Sequence, residues 1–176
     1  MSIYKKDADG IEVKEALGSA LPDYTYSLSS KLTYKRFDVS MFWYGSQGNK
    51  VYNNTANALF LKGPLDKGNN VLKSVLESNE SPENSNAFSS RFIEDGSFLR
   101  LANVSLGYTF DTQSVRWLNS ARIYVTGNNL LLFTDYSGYD PEVNVAADEN
   151  GVPSMGIDYT AYPKPRTFTF GVNLQF

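Results

Sequence analysis

The last eleven residues of the chain alternate strictly between apolar and polar positions. Side chains of a β-strand point alternately to opposite faces, so this pattern predicts a strand with one apolar and one polar face. About ten residues, tilted by about 40°, cover about 25 Å, which matches the apolar band of a membrane barrel. An ordinary sandwich strand with one face in a soluble core alternates in the same way. The apolar positions are Phe168, Phe170, Val172, Leu174 and Phe176.

Four further strands are predicted upstream, in two hairpins. The first hairpin is tight, because only Lys35 and Arg36 separate its two alternating runs. In the second hairpin, Arg100 falls on the wrong parity for a membrane strand. The sequence therefore predicts either that Arg100 lies at the membrane rim or that a bulge near Ala102 changes the register.

The predicted fold class is all-β, a single segment of about five antiparallel up-and-down strands. Two long segments separate these strands, and the first of them is rich in Asn, Ser and Gly, with a short helix expected at 71–76. Loops of that length are uncommon in compact soluble domains, whereas outer-membrane barrels alternate short periplasmic turns with long extracellular loops. The predicted order is a loop at 1–23, a hairpin at 24–45, a long extracellular loop at 46–97, a hairpin at 98–133, a second long extracellular loop at 134–165 and the terminal strand at 166–176.

The amino-acid composition excludes most kinds of catalytic and metal site. The chain has 176 residues, 16 basic and 19 acidic, with a net charge of −3 and no long basic block, which argues against a nucleic-acid partner. It contains no Cys and no His, so it has no disulfide framework, thiolate metal site or histidine base. We therefore expect no enzymatic activity and no cofactor. The 12 Tyr and 11 Phe suit sheets and the aromatic girdles of membrane barrels.

Membrane insertion would require strands. No run approaches 18 consecutive apolar residues, so the sequence encodes no membrane-spanning helix. The first ten residues lack the apolar region of an export signal, although a protein bound for the outer membrane needs one. We therefore expect the chain to be the tail of a longer polypeptide.

Three groups of residues carry candidate binding chemistry. The second long loop could contact an extracellular substrate or partner through Tyr139, Asp140, Glu142, Tyr159 and Tyr162. The three tyrosines could stack on sugar rings, although such tyrosines more often only order a loop. The neighbouring carboxylates, which could hold a cation but are more often solvated surface, are Asp140, Glu142, Asp148, Glu149 and Asp158. A weak likeness to a calcium loop near the amino terminus, short of the usual six to eight oxygens, involves Asp7, Asp9, Glu12 and Glu15. Trp43 and Trp117 are placed where girdles at opposite membrane interfaces would lie.

Three blocks of sequence together resemble the C-terminal barrel region of the SusC/RagA-like TonB-dependent outer-membrane transporters. They are D-G-S-F-L-R-L at 95–101 running into 103–110, the residues from Gly127 through 129–130 and 134–142, and Y-P at 162–163 with R-T-F and G-V-N-L-Q-F up to 176. The ending also resembles the terminal signal by which barrel proteins reach their assembly machinery, and Gly171 belongs to that signal together with the apolar terminal residues.

The resemblance implies a 22-stranded barrel in the outer membrane of a Gram-negative bacterium, serving nutrient uptake. It implies glycan or peptide import, a SusD-like lipoprotein partner, energy from the TonB complex, and a plug and remaining barrel that this chain lacks. Transport by this segment alone is not expected. The residue pattern by itself leaves a rival open, a soluble β-sandwich that binds carbohydrate.

Overall fold

The structure, a computed structural model, describes residues 5–11, 13, 15–83, 88–145, 148–149, 152–153 and 155–176. The chain divides into two compact units, which are treated separately. We call residues 22–47, 97–135 and 163–176 the sheet unit, and the described parts of 1–21, 48–96 and 136–162 the loop unit. Within the described ranges, no helix is long and apolar enough to cross a membrane.

The sheet unit is one five-stranded antiparallel sheet. Its strands are β1 (Tyr24–Tyr34), β2 (Phe37–Gln47), β5 (Phe98–Thr109), β6 (Ser120–Thr134) and β10 (Thr167–Gln175). The spatial order is β1-β2-β5-β6-β10, so each strand lies beside the next sheet strand along the chain. This is the up-and-down antiparallel arrangement that the alternating pattern predicted.

The register places apolar side chains in rows on one face. Val39, Leu106, Val125 and Phe170 lie opposite one another across four strands. Ser40, Ser105, Thr126 and Thr169 form the matching row on the other face. The sheet therefore has one apolar and one polar surface, because every neighbouring pair keeps the same parity.

A bulge interrupts the sheet at Ala102. In both pairings of β5 the register shifts around this residue, and on β6 Asn129 and Leu130 are also left without a partner in the ladder. The predicted bulge near Ala102 is therefore confirmed. The bulge keeps Leu101 and Val104 on the same face although they are three residues apart.

The loop unit has secondary structure of its own. Its elements are β3 (Lys50–Asn53), α1 (Asn54–Leu59), a 3-10 helix at Gly63–Lys67, α2 (Lys73–Leu76), a 3-10 helix at Ser90–Phe92, β4 (Ile93–Asp95), the pair β7 (Asp148–Glu149) and β8 (Val152–Pro153), and β9 (Ile157–Asp158). Three of the strands form a sheet in the order β4-β3-β9, with β3 and β9 parallel. The helix α2 lies within the predicted helical stretch at 71–76, but the other elements were not predicted from sequence.

A small core lies inside the loop unit. Val51 and Val75 are completely buried, and Phe92 and Tyr136 are nearly so. Asn53 caps α1, since its Oδ1 accepts a hydrogen bond from the amide of Ala56 at 2.8 Å.

Candidate functional site

The apolar residues of the terminal strand are exposed along the whole of β10. Phe170 is 81% exposed, and its neighbours on the same face, Phe168, Val172 and Leu174, are all more than half exposed. Such a row is unfavourable in water, because each large apolar side chain that stays exposed lacks the stabilisation of about 1.5 to 3 kcal/mol that its burial would provide. The row fits contact with an apolar medium.

Aromatic rings gather at the end of this apolar face where the two tight turns lie. Phe37 packs on Tyr108 at 4.8 Å between ring centroids, and Tyr108 packs on Phe110 at 4.9 Å. Trp117, in the turn after β5, stacks on the terminal Phe176 at 5.7 Å. Such a band is typical of a membrane interface, where an amphipathic ring meets both lipid and water.

The polar face of the sheet carries a charged cluster made of residues from three strands. Arg122 on β6 reaches across β5 to Asp38 on β2, and its Nε lies 2.9 Å from Oδ1 while Nη2 contacts Oδ2. Gly107 opens the path, because a Cβ there would lie 2.2 Å from Nη2 of Arg122. Tyr124 lies beside this guanidinium, and Cζ of Arg122 is 5.1 Å from the centroid of the tyrosine ring.

Glycine in the terminal strand has a similar role on the same face. A Cβ on Gly171 would lie 2.3 Å from Cζ of Tyr124, so the ring of Tyr124 occupies the space above this residue. Gly171 was predicted to belong to the assembly signal, and the contact adds a packing reason for a glycine at this position.

Neutral polar side chains continue this face across three strands. Asn103 donates to Asn128 at 2.8 Å, and Asn128 in turn donates to the hydroxyl of Thr167 at 3.0 Å. Thr126 contacts Ser105 at 3.2 Å. The face is a hydrogen-bonding surface suited to water and polar solutes.

Arg100 lies on this polar face and is only 2% exposed. Its guanidinium is centred 5.6 Å from the ring of Phe98. The alternative that Arg100 reaches out at the membrane rim is therefore wrong, because the bulge at Ala102 returns the strand to the correct parity without exposing the charge.

The predicted substrate or partner loop separates into exposed and buried residues. Tyr162 is 93% exposed, Tyr139 is 80% exposed, and Tyr159 and Glu142 are exposed as well. Asp140 is buried, and its Oδ1 accepts a hydrogen bond from the amide of Glu142 at 3.0 Å. The expectation of a solvated carboxylate is wrong for Asp140, because this side chain is buried and accepts a hydrogen bond from the backbone two residues further along the chain.

Asp158 is also buried rather than solvated. Its two carboxylate oxygens accept hydrogen bonds from the hydroxyl of Tyr136 at 2.7 Å and from Thr55 at 3.3 Å. Burial raises the pKa of the Tyr136 hydroxyl above its ordinary value, and the bond to Asp158 adds to the rise. Tyr136 therefore acts here as a hydrogen-bond donor that satisfies a buried carboxylate.

A second polar contact joins the two long segments within the loop unit. Glu94 accepts hydrogen bonds from the amide and hydroxyl of Ser137 at 2.8 Å and from Asn53 at 2.9 Å. Sequence reasoning did not single out Tyr136, Glu94 or Asn53 as polar partners. The sequence shows only that these residues are polar and lie in or beside the predicted loops. It does not show that Glu94 binds side chains 41 and 43 positions away along the chain.

The possible calcium loop is a hydrogen-bonded turn in the structure. Oδ1 of Asp7 accepts hydrogen bonds from the amides of Asp9 at 3.0 Å and Ile11 at 2.9 Å, so this carboxylate is used within the turn. Glu12 lies outside the described residues, as do the side chains of Asp148 and Glu149. Among the residues that the structure describes, no three acidic side chains are grouped so that they could hold a metal ion.

Known proteins match nearly the whole chain. TonB-dependent receptor P3 of Formosa agariphila is 35% identical over 180 residues, covering 93% of this chain and 17% of its own length. TonB-dependent receptor P26 of the same organism is 33% identical, covering 98% of this chain and 19% of its own. TonB-dependent receptor SusC of Bacteroides thetaiotaomicron is 34% identical, covering 88% of this chain and 15% of its own. The prediction that the chain is not an enzyme agrees with these relatives, which are named as receptors.

The fold has a counterpart among solved structures. A chain in the structure of the RagAB peptide importer in its open-open state matches 98% of this chain with a TM-score of 0.74, at 22% identity. The match covers 20% of that chain. No family model matches the sequence. The chain spans less than a fifth of the length of the curated relatives it matches, and over nearly all of its own length it is homologous to one segment of the SusC-like TonB-dependent receptors.

Proposed function

We propose that the chain is the C-terminal barrel segment of an outer-membrane nutrient importer energised by TonB. The observation that carries this proposal is the two-faced sheet, whose large apolar side chains are uncovered on one side while the other side bears a charged and hydroxyl-rich surface. In a closed barrel the first face would contact lipid and the second would line the lumen. Homology to TonB-dependent receptors supports the same assignment.

The barrel would be completed by strands outside this segment. Among the residues that the structure describes, the two outer strands of the sheet, β1 and β10, each have a partner strand on one side only. Exposed backbone groups cost several kcal/mol each in lipid, so both edges need partners. We propose that other strands of a 22-stranded barrel supply them and that the barrel assembly machinery inserts the product into the outer membrane.

The two long segments would lie on the extracellular side. The strand ends that they join, at Gln47, Phe98, Thr134 and Thr167, all belong to the end of the sheet opposite the tight turns. Exposed Tyr139, Tyr159, Tyr162 and Glu142 would then be available to a substrate or to a SusD-like lipoprotein. The cargo would be a glycan or a peptide, and the plug and the TonB-contacting segment would come from sequence outside this chain.

The soluble sandwich that binds carbohydrate is not supported. A sandwich requires a second sheet over the apolar face of the first. Within the sheet unit that face is uncovered at Leu28, Leu106, Ile123 and Phe170, each of which is at least 45% exposed.

Uptake by cells tests the proposal. Disruption of the gene that encodes this chain should abolish uptake of one class among labelled oligosaccharides and oligopeptides offered to the cells, and the gene restored in trans should recover it. Removal of TonB should have the same effect as disruption. Unchanged uptake of both classes, together with recovery of the chain from the detergent-free soluble fraction, would contradict the proposal.

A further inference from the structure

The sequence of the terminal strand leaves its register ambiguous. Residues 167–170 read Thr-Phe-Thr-Phe, so a shift of β10 by two residues along β6 keeps Thr on the polar face and Phe on the apolar face. Only odd shifts exchange the faces, and the hydrophobic pattern therefore excludes those alone. A tight turn often fixes register in a hairpin, but here more than thirty residues separate Thr134 from Thr167.

A bulge on β6 lies opposite the start of the terminal strand. Asn129 has a backbone φ of +53°, in the left-handed region that asparagine tolerates better than most residues. Gly127 makes room for the bulge, because its missing Cβ leaves space for the side chain of Leu130, whose Cδ atoms would lie 2.9 Å from it.

The side chain of Asn129 then reaches the chain just before β10. Its Nδ2 donates to the carbonyl oxygen of Pro165 at 3.1 Å. The preceding residue, Asn128, donates to the hydroxyl of Thr167, the first residue of β10 and its direct partner in the ladder. Two adjacent asparagines thus bind Pro165, two residues before β10, and Thr167, the first residue of β10.

We propose that Asn129 is a positioning residue that fixes the register of the terminal strand. The left-handed bulge points its amide at the carbonyl of Pro165, and a slip of two residues would carry that carbonyl about 7 Å away. The same register brings the amide of Asn119 to the carbonyl of Gln175 at 2.7 Å and places Phe176 on Trp117. The inference concerns only the pairing of β6 with β10 and goes beyond the proposed transport function.

Cysteine cross-linking can measure register directly, because the chain has no cysteine. Val125 lies opposite Phe170, so the pair V125C/F170C reports the register seen here. The pairs V125C/F168C and V125C/V172C report slips of two residues in either direction. The ratio of native to slipped disulfide yield is measured in outer membranes of cells that carry these pairs in the chromosomal gene encoding the chain.

Two variants test whether the side chain of Asn129 fixes the register of β10. N129G keeps the left-handed backbone but removes the amide, and N129D keeps the shape but removes the donor. Each should lower the ratio about fivefold, since a hydrogen bond contributes about 1 kcal/mol. The matched control is N173G on β10, which removes an asparagine from the same strand pair away from the bulge and should leave the ratio unchanged.

An unchanged ratio in both N129G and N129D would overturn the proposal, and so would an equal fall in N173G. The disulfide ratio does not depend on nutrient uptake. A wrong assignment of Asn129 can therefore be distinguished from a wrong assignment of the import function.

Discussion

The sheet unit and the loop unit differ in whether their large apolar side chains are buried. The loop unit buries Val51, Val75 and Phe92 and gives its buried carboxylate Asp158 hydrogen-bond donors, as a water-soluble domain does. The sheet unit leaves its apolar rows open and keeps hydrogen-bonding groups on the other face. Under the proposed function this difference has a simple cause: water would surround the loop unit, whereas the sheet unit would have lipid on one face and water on the other.

A charge placed on the apolar face of the sheet should have the largest effect on stability. F170R places a cation near the middle of β10 and should lower the free energy of unfolding of the complete barrel in lipid vesicles by about 2 to 4 kcal/mol. The neighbouring variant T169R, on the polar face, keeps its charge in water and should cost less than about 1 kcal/mol. A urea titration of both proteins measures the difference, and equal costs would remove the distinction between the faces.

Loss of one hydroxyl should weaken the loop unit without affecting the sheet. Y136F deprives the buried carboxylate of Asp158 of a donor and should destabilise the loop unit by about 1 to 3 kcal/mol. Hydrogen exchange of amides in residues 48–83 measures the effect. Y139F, which changes an exposed ring, serves as the control and should stay within about 0.5 kcal/mol. Equal protection in the two variants would show that the network is not stabilising.

The charged cluster on the polar face should contribute less. R122Q removes the paired hydrogen bonds to Asp38 and should destabilise the sheet by about 1 to 2 kcal/mol, because both side chains are only partly screened by solvent. R116Q, in the exposed turn, is the matched control. Identical urea midpoints for the two variants would contradict a stabilising role for the cluster.

The smallest effect should come from pH at the turn after β5. The amide of Gln113 and the guanidinium of Arg36 lower the pKa of Asp111 below its ordinary value. A carboxyl whose pKa is lower in the folded state stabilises that state above its unfolded pKa of about 3.9, and this contribution is lost as pH falls through the lower, folded value. Carbon NMR of the Asp111 carboxyl should show the shift, and R36Q should move the titration back toward the ordinary value.

The sheet was largely predictable from sequence because period-two alternation reports local geometry. The predicted terminal strand at 166–176 compares with β10 at Thr167–Gln175, and a bulge near Ala102 was one of the two alternatives that the parity of Arg100 left open. Local pattern alone also allowed an exposed Arg100 at the rim, and only the register of the neighbouring strands excludes it.

The loop unit was not predictable in the same way. Its elements are two to six residues long, and contacts such as the one between Tyr136 and Asp158 depend on how distant segments meet. Asp140 and Asp158 were expected on the surface because carboxylates usually are, but here backbone and hydroxyl donors make burial tolerable.

The most direct test of the central claim is single-cysteine labelling along β10 in intact outer membranes. A cysteine is placed in turn at positions 167–170 and 172–174 and treated with a water-soluble maleimide, which reacts with the thiolate form of cysteine. Positions 167, 169 and 173 should react in the intact membrane, whereas positions 168, 170, 172 and 174 should react only after the membrane is dissolved and the protein is unfolded. Equal reaction of all positions with the water-soluble reagent would contradict a sheet that separates lipid from water.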